Sequence, residues 1–290
     1  MNATHTTSPD QYYVPHGTRW PILGSIALFT GVAGAALWLN QMPIGRWVLA
    51  LGAILLAAMM FGWFSEVVRE SEGGLYNDQV DRSFRWGMAW FIISEVHFFA
   101  AFFGALLYAR QFAVPWLAGE GDNFFTHTLL WEGFENTWPT AGPRDGMVEK
   151  MDAWGLPAVN TAILLLSGVT ITIAHHALRA ANRRGVTIWL AATFLLGFLF
   201  VGLQAYEYVH AYTDLNLRLD TGIYGSTFFM LTGFHGLHVT IGAIMLLIVW
   251  LRVVRGHFTP ERHFAFEASA WYWHFVDVVW LGLFFFVYWL

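Results

Sequence analysis

The segment Trp271-Tyr-Trp-His-Phe-Val-Asp-Val-Val-Trp280 lies inside the apolar run formed by residues 268–290. It therefore places an imidazole and a carboxylate where hydrocarbon would surround them. Ionisable groups at bilayer depth are costly, so they usually face a neighbouring helix and find partners there. Because His274 and Asp277 are three residues apart, they share one helix face. The segment predicts a membrane helix that packs inside a bundle.

The composition of the whole chain is that of an integral membrane protein. Hydrophobic residues make up 57% of it and charged residues 12%, against roughly 25% charged residues in an ordinary soluble domain. The chain has no cysteine, which excludes disulfides, thiolate nucleophiles, cysteine-based zinc or iron–sulfur sites and c-type haem attachment. No basic tract indicates a nucleic-acid partner. Any metal would need histidine and carboxylate ligands.

Hydropathy along the chain predicts an all-α membrane protein. A helix needs about 20 mostly apolar residues to cross a bilayer, and seven segments have that length. They are residues 20–39, 47–67, 86–109, 156–178, 187–208, 227–251 and 268–290. We expect residues 20–290 to form a single seven-helix transmembrane domain. A long outer loop at about residues 110–155 would act as a structured cap or docking surface.

The distribution of positive charge predicts the orientation. If residues 1–19 are a cytoplasmic N-terminal segment, ten of the 15 Arg and Lys residues lie inside and five lie outside. Such an excess follows the positive-inside rule. We therefore expect the N-terminus in the cytoplasm and the C-terminus in the periplasm.

The third predicted span carries Ser94-Glu95-Val96-His97, which places a carboxyl group near the middle of the bilayer. Burial disfavours the charged form of a carboxyl group, so we expect Glu95 to carry a proton unless a cation or channel water lies beside it. Two interpretations stay open. Glu95 is either a proton-relay group or a neutral carboxyl group hydrogen-bonded to a neighbouring helix. His97 lies on a different face and is interpreted as a packing residue.

The sixth predicted span carries His235 and His238 one turn apart. Such a pair invites a haem or metal interpretation. However, haem ligation in a bundle usually recruits histidines from facing helices, and nothing here fixes an open coordination position. We expect instead a buried structural polar cluster of His235, His238, His274 and Asp277, in which His235 or His238 meets Asp277 across a helix interface. We assign no metal ligand and no catalytic residue.

Four residues at the inner ends of the spans form basic and aromatic rims that are typical of lipid headgroup contacts. They are Trp63, Arg69 and Glu70 after the second span and Arg252 after the sixth. Ordinary interfacial anchoring would also explain them. A lipid-specific pocket would require the second span to face the sixth across a groove.

Two further polar pairs lie close to span ends. His175 and His176 close the fourth span, where a helix C-terminus favours cations, and we interpret them as interfacial anchors. Glu207 and His210 lie three residues apart at the outer end of the fifth span. We expect them to form an ordinary surface pair.

Several longer stretches are similar to one protein family. They are FIISEVHFF at residues 91–99, LLSGVTITIAHHAL at 165–178, LQAYEY at 203–208, GIYGSTFFMLTGFHGLH at 222–238 and FEASAWYWHFVDVVWL at 266–281. With VVRES at 67–71 and WPTAG at 138–142, they make the chain resemble subunit III of the haem–copper cytochrome c oxidases from the second span to residue 290.

The resemblance implies a fold and a set of lipid contacts. In this family the first two of seven transmembrane helices splay from the other five and leave a V-shaped cleft filled with phospholipid. By motif, the resemblance assigns lipid contacts to Trp63, Arg69, Glu70 and Arg252. It matches Glu95 to the family's buried carboxyl group.

The sequence departs from the family pattern before the first span. Many members carry histidines there, followed by PSPWP, whereas this chain has Tyr13 at a usual histidine position. A proton-collecting role therefore cannot be given to Tyr13. His16 or His5 would have to take that role.

The resemblance also implies a function. It indicates a non-redox core subunit of a proton-pumping terminal oxidase that reduces dioxygen to water. Haem and copper would lie in the partners, which are the catalytic haem–copper subunit I and the copper-bearing subunit II. This chain would bind phospholipid, support assembly and stability, and sustain proton uptake. The expected electron donor, acting through a partner, is cytochrome c, and the expected location is the bacterial plasma membrane.

Other functions stay open at this point. A quinol oxidase or a nitric oxide reductase could use an equivalent subunit, because this chain does not specify the electron donor. A stand-alone b-haem protein would use His235, His238 and His274, and it would show a Soret band when purified alone. A transporter that used Glu95 and Asp277 would be expected to show broken helices or repeated halves, and the sequence shows neither.

Overall fold

The computed structural model describes residues 12–14, 17–143 and 149–290. Within these residues the chain is helical and contains no strand. The α-helices are α1 (Trp20–Leu39), α2 (Gly45–Glu72), α3 (Asp78–Tyr108), α4 (Val114–Leu117), α5 (Phe124–Leu130), α6 (Leu156–Arg179), α7 (Arg183–Thr213), α8 (Gly222–Arg255) and α9 (Phe264–Leu283). A π-helical turn at Ala109–Ala113 joins α3 to α4, and another at Phe284–Trp289 extends α9.

Seven helices among the described residues are long and apolar enough to cross a membrane. This confirms the prediction of an all-α, seven-span integral membrane protein. Most of the helices extend past the predicted spans. For example, α2 continues to Glu72 and α8 continues to Arg255. The predicted spans follow the apolar segments. Backbone hydrogen bonding does not need apolar side chains, so a helix can continue beyond its apolar segment.

The chain divides into two compact units, one ending at Trp86 and the other running from Gly87 to Leu290. The first unit holds α1, α2 and the start of α3, and the second holds the rest. The division into a short N-terminal segment and a single transmembrane domain stays a prediction. The V-shaped splay of the first two helices also stays a prediction.

In the first unit, α1 and α2 pack through their backbones. A Cβ atom added to Gly34 would lie 2.1 Å from the backbone nitrogen of Leu49, and one added to Gly52 would lie 2.4 Å from that of Gly31. Only glycine permits such an approach, as at other close helix contacts in membranes. The buried residues of α2 are Gly45 and Gly52. Backbone proximity at Gly34 and Gly52 therefore holds this part of the hairpin together, while the Trp20 ring packs against Gly62 further along it.

In the second unit, α9 lies at the centre of the packing between α6, α7 and α8. Trp273 is fully buried, and its Nε1–H donates to Ser167 Oγ at 2.8 Å. Its ring fills the space left by Gly197 of α7 and Gly242 of α8, where an added Cβ would lie 2.5 Å and 2.9 Å from ring atoms. Trp280 donates from Nε1 to Thr161 Oγ1 at 2.9 Å. The prediction that the WYWHFVDVVW segment packs inside a bundle is confirmed.

Helix α3 meets α8 and α9 through large aromatic side chains. Phe98 packs edge-on against Phe234 of α8, with ring centroids 5.0 Å apart. Phe99 contacts Phe275 of α9 at 6.1 Å. Bulky rings keep these helices further apart than the glycines keep α1 and α2. The wider spacing leaves room for polar side chains between α3 and α8.

The described part of the predicted outer loop is structured. Asn123 donates from Nδ2 to the carbonyl of Trp116 at 2.8 Å, and Asn136 donates to Glu120 Oε1 at 2.7 Å. The carbonyl of Thr140 accepts from the backbone N–H of Tyr224 at 3.2 Å. The loop is therefore tied to the start of α8, while its role as a docking surface stays a prediction.

Candidate functional site

The polar centre of the second unit is a contact between Glu95 of α3 and His238 of α8. The Oε2 atom of Glu95 lies 2.8 Å from Nε2 of His238. The two side chains are 20% and 12% exposed. Each residue lies near the middle of a helix long enough to span a membrane. The structure therefore places a carboxyl–imidazole pair deep in the membrane region.

The second nitrogen of His238 decides where a proton must lie. Nδ1 is 2.7 Å from the backbone carbonyl of Phe234. A carbonyl oxygen can only accept, so Nδ1 carries a proton and donates it. In a neutral imidazole, Nε2 then has a lone pair and no hydrogen. The contact between Nε2 and Oε2 therefore needs one further proton, which belongs either to the carboxyl group or to the imidazole.

Aromatic rings enclose the pair. The ring of Phe99 meets the His238 ring edge-on at 4.9 Å, and Tyr272 stacks on it at 6.3 Å. Separated charges are costly in such apolar surroundings. The geometry therefore favours a neutral pair, in which the Glu95 hydroxyl donates to Nε2 of His238. Moving that proton by one hydrogen bond would convert the neutral pair into an ion pair.

The second histidine of α8 is held separately. His235 is fully buried, and its Nε2–H donates to the carbonyl of Val276 at 3.1 Å. Its ring packs at 5.0 Å against Trp280 and at 5.7 Å against Phe200. His235 therefore connects α8 to α9 through a backbone carbonyl.

The structure does not bring the four predicted cluster residues together. Asp277 is buried and lies against α6, where a Cβ atom on Gly168 would be 2.5 Å from its Oδ2. Its nearest imidazole is His274 on the same helix, with Nδ1 3.7 Å from Oδ2. His274 itself is about half exposed. His238 faces Glu95 instead of Asp277. The sequence did contain a signal for the contact between Glu95 and His238, because both residues lie near the middle of their predicted spans and therefore at a similar depth in the membrane.

Among the predicted lipid residues of the first unit, Glu70 is held in place by two tyrosines. Glu70 accepts hydrogen bonds from the Tyr13 hydroxyl at 2.9 Å and from the Tyr76 hydroxyl at 2.6 Å. Burial, followed by the hydrogen bond to Glu70, raises the pKa of Tyr13. Arg69 is exposed beside Glu70, and Trp63 is 44% exposed. Tyr13, at the usual histidine position, thus anchors Glu70. His5 and His16 lie outside the described residues.

Arg252, the predicted lipid residue of the second unit, lies near the end of α8. Its guanidinium carbon is 4.6 Å from the centre of the Phe258 ring, within the range of a cation–π interaction. The helix ends at Arg255, and the next residue, Gly256, has a φ of +83° and donates its N–H to the carbonyls of Arg252 and Val253. A glycine at this position permits the left-handed end of the helix. The chain can then turn so that Phe258 covers Arg252.

The expectation of a surface pair between Glu207 and His210 is wrong. Glu207 is 1% exposed and accepts from the Tyr288 hydroxyl at 2.7 Å. His210 is exposed and bonds to Asp214 at 2.5 Å, and this hydrogen bond lowers the pKa of Asp214. The sequence did contain a signal, because Glu207 continues the helical stripe of buried positions that includes Gln204.

The described residues contain no group of three or more His, Cys, Asp or Glu side chains placed to hold a metal ion. The chain also has no cysteine nucleophile. Glu95 and His238 form a hydrogen bond across which a proton can move. Holding or passing a proton is therefore the chemistry that this site can perform.

Comparison with known proteins agrees with the resemblance found in the sequence. The family model described as "Cytochrome c oxidase subunit III" matches residues 10–119 and 123–290. Relatives named cytochrome c oxidase subunit 3 include one from Oncorhynchus mykiss that is 41% identical. Those from Gadus morhua and Squalus acanthias are 40% identical. Each alignment spans 279 residues and covers 96% of this chain and 96% of the relative.

Proposed function

Because this chain belongs to the cytochrome c oxidase subunit III family, it is an integral membrane subunit of a terminal oxidase, and we propose that it acts there without a redox centre of its own. Its role is to support the assembly and stability of the complex, to hold phospholipid and to sustain proton uptake by the catalytic subunit. The observation that carries the proton role is the Glu95–His238 contact, which needs one proton at mid-membrane depth.

The hydrogen bonds of the buried histidines support the non-redox role. His238 uses both ring nitrogens, one toward Glu95 and one toward Phe234. The Nε2–H group of His235 donates to the backbone carbonyl of Val276. A haem ligated through Nε2 of either residue would have to break one of these contacts. We therefore propose that haem and copper lie in partner subunits I and II. The family resemblance supports cytochrome c as the electron donor.

Lipid binding is proposed for Trp63, Arg69, Glu70 and Arg252. The exposed guanidinium of Arg69 suits a phosphate headgroup, and the exposed indole of Trp63 suits an acyl chain. The two tyrosines on Glu70 support this proposal because they satisfy its carboxylate, while Arg69 donates from Nε to the carbonyl of Ser65 at 3.3 Å and keeps its terminal N–H groups for a lipid phosphate. The family's lipid-filled cleft and a location in the bacterial plasma membrane are part of the same proposal.

The test is to compare the complete oxidase with the oxidase from which this chain has been removed. We expect slower turnover and a shorter working life without it, because proton delivery to the catalytic subunit would lose its support. Oxygen consumption followed until the enzyme inactivates measures both quantities. Equal turnover and equal lifetime would contradict the proposal.

The isolated chain gives a second readout. Purified through a tag on this chain, the complex should show a Soret band, and the separated chain should show none. A solitary chain that kept a haem spectrum would instead support the b-haem alternative. A quinol oxidase would be recognised by turnover with quinol but not with cytochrome c.

A further inference from the structure

Two histidines outside the Glu95 site meet near one end of the bundle. His175 lies in the last two turns of α6, and His263 immediately precedes α9. Their Nε2 atoms are 3.3 Å apart. The ring centroids are 5.3 Å apart and the planes are tilted by 61°. The two Nε2 atoms are therefore close enough to share one proton or one ion.

The second nitrogen of His263 shows which form of this ring is present. Nδ1 lies 3.2 Å from the backbone carbonyl of Thr259. Because a carbonyl only accepts, Nδ1 carries the proton, and Nε2 of the neutral ring presents its lone pair toward His175. Histidine ligands of metals normally have this arrangement, with the other ring nitrogen donating to a carbonyl or a carboxylate.

The separation of the two nitrogens also fits a shared ion. Zinc binds imidazole nitrogen at about 2.0–2.1 Å in tetrahedral geometry, which places two such nitrogens about 3.3–3.4 Å apart. The observed 3.3 Å agrees with this separation. No movement of either ring toward or away from the other would be needed.

The surroundings allow an ion to enter and leave. Both histidines are only partly buried. The ring of Phe266 packs at 5.7 Å against His175 and limits its rotation. Glu267, one turn after His263, interacts electrostatically with His175, and Arg179 acts on it with the opposite sign. The carboxylate offsets the repulsion that a cation would feel from Arg179.

From this geometry we propose that His175 and His263 bind one exchangeable divalent transition-metal ion such as Zn²⁺. Imidazole nitrogen suits Zn²⁺, Cu²⁺ and Ni²⁺. Water molecules would complete the coordination shell, because the described residues provide no third ligand in place. The competing explanation is a hydrogen bond in which Nε2–H of His175 donates to Nε2 of His263.

Equilibrium dialysis of the intact oxidase against Zn²⁺, with the bound metal counted by elemental analysis, separates the two explanations. The test variants are His175→Ala and His263→Ala. The matched control is His176→Ala, which removes an exposed neighbouring histidine. We expect the wild type and the control to bind one more Zn²⁺ per complex than either test variant. Equal binding in all four proteins, or a loss in only one test variant, would overturn the shared site.

A variant that does not fold would also bind less metal, so folding and assembly are measured separately from metal binding. The subunit composition of each purified variant shows whether it has assembled. If an alanine variant fails to assemble, His175→Gln and His263→Gln replace it, because glutamine keeps a hydrogen-bonding side chain of similar reach. The same difference of one Zn²⁺ per complex supports the proposal, and its absence overturns it.

Discussion

At the scale of single residues, the contact between Glu95 and His238 requires one proton, and the hydrogen bonds of His238 indicate where it lies. His238 donates from Nδ1 to a carbonyl, so its Nε2 can accept only if Glu95 carries the proton. Residues of the same types elsewhere in the spans behave differently. His97 bonds within its own helix, where Nδ1 lies 2.8 Å from the carbonyl of Ile93. Position between two helices, rather than residue type, makes Glu95 a candidate for proton transfer.

Replacing Glu95 by glutamine should leave assembly intact. The amide N–H of glutamine can donate to Nε2 of His238 and keep the hydrogen bond between α3 and α8. The exchangeable proton is lost, so proton uptake should slow, and the infrared band of a protonated carboxyl group should disappear. Glu95→Ala leaves Nε2 without its donor and should cost about 1–3 kcal/mol of stability.

The control for this prediction is His97→Gln, which alters a neighbouring polar residue outside the pair. It should change neither the infrared band nor proton uptake. If Glu95→Gln failed to assemble while His97→Gln assembled, a charged Glu95 would be required for the structure, and the neutral pair would be refuted.

At the level of helices, the two units show two kinds of packing around glycine. Helices α1 and α2 approach through glycine backbones, whereas Trp273 of α9 fills the space beside Gly197 and Gly242. Glycines that look alike in the sequence therefore have different tasks. Gly52 faces the backbone of α1, while a Cβ atom on Gly31 would meet nothing within 4 Å.

This difference can be tested with one substitution at two positions. Both Gly52→Ala and Gly31→Ala gain the same helix propensity, about 0.8–1.0 kcal/mol. Only Gly52→Ala forces α1 and α2 apart, at a cost of about 1–3 kcal/mol or more. We expect Gly52→Ala to lower the resistance of the complex to unfolding by SDS, and Gly31→Ala to keep or raise it. Equal behaviour of the two variants would show that the hairpin does not depend on this approach.

At the level of the whole molecule, the charges at the ends of the spans predict the orientation. Positive residues concentrate in the short connections that we place in the cytoplasm. The connection between α6 and α7 is one of these. The described part of the long loop between α3 and α6 would then face the periplasm.

The absence of cysteine from this chain makes the orientation easy to measure. Ala180→Cys marks the connection after α6, and Gly133→Cys marks the long loop at a glycine with open space around it. We expect a membrane-impermeant maleimide to label Gly133→Cys in right-side-out vesicles and Ala180→Cys in inverted vesicles. Labelling after solubilisation in detergent provides the reference. The reverse pattern would invert the proposed topology.

The sequence by itself determined the membrane class, the seven spans and the family. These are local properties, because a run of about 20 apolar residues must cross the bilayer whatever its neighbours are. Helical spacing also showed which polar residues share a face, such as His274 and Asp277. It could equally have shown that Glu207 continues a buried stripe, since periodicity needs no knowledge of other helices.

Only the tertiary structure decided which polar groups meet. Spacing fixes the face of a helix but neither its rotation against a neighbour nor the depth at which two helices cross. His238 therefore pairs with Glu95 rather than with Asp277, and Glu207 with Tyr288 rather than with His210. In the membrane, where a buried polar group must find its partner within the protein, those two variables determine the chemistry.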